Sequence, residues 1–174
     1  MNIMKIIGCV LIIVSTTGIG FYFSSDMRCR MEDLKEWKKL ICLLRGDIRY
    51  ANTPLPEAIH SISRRHEGNF HAFLSMVGTQ LQELSGETLA AIWKSAAEKE
   101  LTNTSLNKKD KMQLISFGEN LGYLDKDMQM NTFELYLSQL EEEIADLGRT
   151  VKGKAYLYNS LGIMAGIFIT IIMI

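Results

Sequence analysis

His60, His66 and His71 are the residues best suited to hold a metal or move a proton. His66-Glu67 followed by His71 approaches the H-E-x-x-H zinc motif but is one residue too long. On a helix that motif sets both imidazoles on one face at i and i+4, and a spacing of five does not. Gly68 also interrupts the stretch, so solvated loop histidines are expected. Neither the G-x-x-x-x-G-K phosphate cradle nor the G-x-S-x-G nucleophile elbow occurs. Cys9, Cys29 and Cys42 are an odd number without C-x-x-C spacing, which excludes a disulfide framework and suits a reducing compartment. Glu141, Glu142, Glu143 and Asp146 fall consecutively on a helical stretch and point in different directions, as a solvated face does. The net charge of −1, with no basic cluster interleaved with aromatics, argues against nucleic acid. No enzyme, cofactor, metal or small-molecule substrate is expected.

The elements around these residues explain the missing chemistry. The chain is 47% hydrophobic, but the apolar residues gather at its two ends. Residues 6–23 and 155–174 carry no charged side chain. Each run, at about 1.5 Å per helical residue, reaches across a hydrocarbon core of roughly 30 Å. In lipid the backbone must satisfy its own hydrogen bonds, so both runs are expected to be transmembrane helices. No A-x-A cleavage site follows Phe23, so the first run reads as a retained anchor. Arg28, Arg30, Lys35, Lys38 and Lys39 follow the first run, and Arg149, Lys152 and Lys154 precede the second. Basic residues stay on the cytoplasmic side, which makes 24–154 a cytoplasmic domain and 1–5 a short outer terminus. Gly162-x-x-x-Gly166 suits close helix packing inside the bilayer.

Between the runs the apolar spacing is helical throughout, predicting an all-α bundle of about six helices. Leu34, Trp37, Ile41, Leu44 and Ile48 mark the first, over about Asp26 to Tyr50. Thr53 is the expected N-cap of the second, with Pro54 at its first position and Leu55, Ala58, Ile59 and Ile62 buried. Asn69 is expected to cap a third helix carrying Phe70, Phe73, Leu74, Val77, Leu81 and Leu84. A fourth holds Leu89, Ile92, Trp93 and Ala96. The fifth, capped by Asn107, holds Met112, Leu114, Ile115, Phe117 and Leu121. Gly122 is read as a left-handed stop and Asp125 as the cap of the last helix. There Phe133, Leu137, Leu140, Ile144, Leu147 and Val151 form an a/d seam running on into the second apolar run, about 50 residues in all.

One stretch is more specific. Phe117-Gly118-Glu119-Asn120-Leu121-Gly122-Tyr123-Leu124-Asp125, followed by Gln129, resembles the F-G-E-x-L-G-x-x-D-x-x-x-Q pattern of the stage III sporulation protein AB family. Asp47-Ile48-Arg49-Tyr50 with Thr53-Pro54-Leu55, the Ala91-Ile92-Trp93 region, and the ending Ser160 to Gly166 agree in the same order. The resemblance implies a platform protein of the complex joining mother cell and forespore in endospore-forming bacteria. It implies a cytoplasmic domain similar to the platform of type II secretion and type IV pilus machines. It also implies a partner, the sister ATPase, stage III sporulation protein AA. The residues it singles out as structural or partner-binding candidates are Phe117, Gly118, Glu119, Leu121, Gly122, Asp125 and Gln129, with Thr53, Pro54 and Leu55. The rival reading is a membrane-tethered regulatory module that forms a homo-oligomer through the heptad seam.

Overall fold

The computed structural model describes the backbone of residues 3–83, 86–122 and 125–173, and the side chains of 25–83, 86–122, 125, 127–151 and 164. Six α-helices follow one another: α1 (Ile3–Arg49), α2 (Leu55–Arg65), α3 (His71–Gln82), α4 (Leu89–Glu100), α5 (Lys108–Leu121) and α6 (Lys126–Met173). A 3-10 turn, Leu101–Asn103, follows α4, and no strand occurs among the described residues. The all-α expectation therefore holds. Two compact units divide the chain, Met1–Met31 with Ala145–Ile174, and Glu32–Ile144. The apolar run 6–23 and the first charged helix, expected as separate pieces, belong to one helix. Likewise α6 passes Gly153 without a break. No helix is long and apolar enough among the described residues to cross a membrane. The side chains of the runs 6–23 and 155–174, Met164 apart, lie outside those residues, as do Gly162 and Gly166.

In the unit Glu32–Ile144 the apolar stripes are the core. Leu34, Trp37, Leu40, Ile41, Leu44 and Ile48 of α1 are all buried. So are Phe133, Leu137 and Leu140 of α6, which places that part of the seam inside the chain's own packing. An aromatic circuit ties four helices together. The rings of Trp37 and Trp93 are 6.2 Å apart, Trp93 and Phe117 6.1 Å, and Phe117 stacks on Tyr136 at 4.4 Å. Trp37 Nε1 closes the loop by donating to the Tyr136 hydroxyl at 2.9 Å. Burial pushes the Tyr136 pKa well up, against the smaller opposing effect of the Trp37 hydrogen bond. The phenol thus stays neutral in the core.

Several local expectations change. Met112 is exposed, and Leu55, Leu81, Leu89, Ile115 and Ile144 are only half-buried. Leu84 lies outside the described residues. Thr53 does not cap α2: the N-cap is Pro54, with no side-chain cap. The Thr53 amide instead donates back to Asp47 at 3.1 Å, helping to close α1 beside Asn52, whose φ is +52°. Asn69 does not cap α3 either, because Phe70 occupies that position and the Asn69 amide is engaged elsewhere. Asn107 does cap α5, in a full capping box with Asp110.

Helices α2 and α3, α3 and α4, and α4 and α5 pack as neighbours. Asp33 near the start of the unit accepts from Asn69 Nδ2 at 2.7 Å and from the Ser105 amide at 2.6 Å. Loops 66–70 and 101–107 therefore sit at the end where Glu32 and Ile144 lie. The α1–α2 turn, 50–54, lies toward the opposite end. Contacts Lys38–Glu141 at 2.8 Å and Arg49–Glu134 at 3.3 Å show α1 and α6 antiparallel, consistent with that arrangement.

Candidate functional site

The α5–α6 corner begins on a helix face cleared for an indole. A Cβ built on Gly118 would overlap Cγ, Cδ1 and Nε1 of Trp93. That ring is fully buried, and its Nε1 donates to the Leu114 carbonyl at 2.9 Å. Phe117 and Leu121 point into the core, while Glu119 faces solvent. Gly122 ends α5 with φ −77° and ψ −19°, so it is not the left-handed stop expected. Among the described glycines the positive φ belongs to Gly86, at +79° in the α3–α4 corner. Room is not what Gly122 supplies either, since a Cβ there would meet Leu89 at 3.4 Å, an ordinary contact. Tyr123 and Leu124 lie outside the described residues. Asp125 Oδ1 accepts from the Met128 amide at 2.9 Å, capping α6. Gln129 Nε2 reaches back to the Leu121 carbonyl at 3.0 Å, satisfying an acceptor left over at the end of α5. Every described polar group of this motif thus either fixes the corner or faces water. Thr53, Pro54 and Leu55 form a separate corner.

The histidines are not solvated loop residues. His60 lies within α2. His66 Nε2 is 2.6 Å from Glu36 Oε1, joining the α2–α3 loop to α1. His71 Nδ1 lies 2.7 Å from the His66 carbonyl and 3.0 Å from the Ser63 carbonyl. Carbonyls only accept, so Nδ1 carries the proton and donates. Gly68 is required beside them, since a Cβ there would overlap the Glu36 carboxylate. The acidic run on α6 is the solvated face expected, with Glu141, Glu142 and Asp146 exposed, and it carries surface ion pairs. Glu141 pairs with Lys38, Glu143 with Lys109 at 2.7 Å, and Asp146 with Arg149 at 3.3 Å. The Lys38 hydrogen bond and charge hold the Glu141 carboxyl below the usual carboxylate range. No group of three or more His, Cys, Asp or Glu side chains able to hold a metal ion occurs among the described residues.

Carboxylates of this unit are both paired and free. Glu36, Asp47, Glu134, Glu141 and Glu143 are paired, whereas Glu32, Glu67, Glu98 and Glu142 are without a partner among the described residues. Glu57, Glu83, Glu87, Glu119 and Asp127 are likewise exposed, without a partner among the described residues. Tyr50 is 80% exposed, its ring 5.7 Å from the Arg49 guanidinium, and Met128 is 53% exposed. Sequence patterning missed Asp33, which is buried and bonded to partners 36 and 72 residues away. An acidic residue beside the apolar stripe of a helix was the one available signal.

The family described as Stage III sporulation protein AB matches residues 5–174. Stage III sporulation protein AB of Bacillus subtilis (strain 168) is 28% identical over 170 residues, covering 98% of this chain and 99% of that protein. A solved structure of Stage III sporulation protein AB superposes with a TM-score of 0.65 at 26% identity, covering 71% of this chain and 97% of that one.

Proposed function

The chain belongs to the stage III sporulation protein AB family, and from that premise we propose that it is a non-enzymatic membrane platform that docks the complex's ATPase. Family membership makes it a component of a sporulation complex. The reading beyond that rests on one observation above all. The helical unit brings both its chain ends to one end, where Asp33 holds loops 66–70 and 101–107 and Glu143 meets Lys109. Both continuations of the chain lead into helices, α1 and α6, that contain the uncharged runs 6–23 and 155–174. Embedded in a mother-cell membrane, those runs hold the bundle in the cytoplasm, where it can meet a partner. The basic flanks support that orientation. A regulatory homo-oligomer built on the heptad seam is less favoured, because Phe133, Leu137 and Leu140 are already buried within the bundle.

Co-purification tests the docking. Full-length protein extracted from membranes should retain stage III sporulation protein AA, the sister ATPase. Failure to associate under every nucleotide condition refutes the platform reading. Topology is tested separately with a thiol reagent that cannot cross membranes. Cys29 is exposed and lies in the basic flank after the first run, so labelling it from outside intact cells would reverse the orientation.

A further inference from the structure

We draw no further inference here: the strongest candidate, the groove between α4 and α5 that Leu106, Met112 and Ile115 line with Glu98, Lys108 and Lys111 beside them, is an apolar face rimmed by charges of both signs, and nothing in the structure shows what covers it.

Discussion

Replacing Gly118 by alanine should destabilise the protein even though alanine is the better helix former. At an open helical position Gly→Ala gains about 1 kcal/mol. Gly118 is not open, because the added methyl would overlap the face of the Trp93 indole at Cγ, Cδ1 and Nε1. That ring cannot step aside freely. Phe73 meets it edge-on at 5.0 Å, Phe117 lies at 6.1 Å, and Trp37 at 6.2 Å. Forcing a methyl into such a core costs about 1–3 kcal/mol. Displacing the ring from the Leu114 carbonyl leaves a buried donor unsatisfied, at about 1–3 kcal/mol more. Set against the helix-propensity gain, the net loss should be about 1–5 kcal/mol. For a chain of this size that corresponds to a Tm lower by about 2–20 °C. Gly46, also helical, has nothing within 4 Å of its built Cβ, so Gly46→Ala should raise the Tm by a few degrees. Circular dichroism and tryptophan fluorescence melts of the full-length protein in detergent measure both. In a Trp93→Phe background the penalty of Gly118→Ala should shrink, since the smaller ring leaves room. A Gly118→Ala protein that melts at or above wild type, or an equal penalty with Phe in place of the indole, would refute the reasoning.

Asp33→Ala should cost about 3–5 kcal/mol, since it removes two hydrogen bonds to a buried carboxylate and leaves the Ser105 amide without its acceptor; chemical denaturation of the detergent-solubilised protein checks this. Gly122→Ala should lie within about 0.5 kcal/mol of wild type, because φ is negative and the new methyl makes only ordinary contact with Leu89; a loss above about 2 kcal/mol would restore the left-handed reading. Asp125→Ala should remove about 1 kcal/mol through loss of the α6 cap, and proteolysis should then cut first at the α5–α6 corner. Glu141 titrates below the usual carboxylate range, so its pairing with Lys38 contributes above the unfolded-state pKa and is lost as pH falls through the folded one. Lys38→Met should move that titration back up, which carbon-detected NMR of the side-chain carboxyl reads directly.

Helical faces were legible in the sequence because a period of 3.6 is a local property. The α1 stripe from Leu34 to Ile48 and the Asn107 cap both follow from residues within a few turns of one another. In the corner Phe117–Gln129 the Asp125 cap was legible for the same reason, whereas the crowding at Gly118 comes from Trp93 on another helix. Partnerships across the fold were not. Asn69 has the chemistry of a cap, but a buried carboxylate 36 residues upstream holds its amide. His66 reads as a loop residue until Glu36 is beside it. Gly122 fits a left-handed stop by residue type, yet its φ is −77°, a conformation open to any residue. Local pattern specifies which face of a helix is buried, and leaves open which distant polar group meets it.

The aromatic circuit also carries information about time. Trp37 donates its hydrogen bond to a residue synthesised 99 positions later. At translation speeds of about 5–20 residues per second, α1 waits roughly 5–20 s for that acceptor. Helices α2 to α5 pack on their sequence neighbours and form meanwhile, as short-range contacts close fastest. The apolar stripe of α1 is therefore covered in two steps, first by Phe70, Phe73 and Trp93, and finally by Tyr136. Each ribosome making this chain holds an unfinished core until α6 emerges, which makes α6 the segment whose truncation most exposes the nascent protein to aggregation and proteolysis.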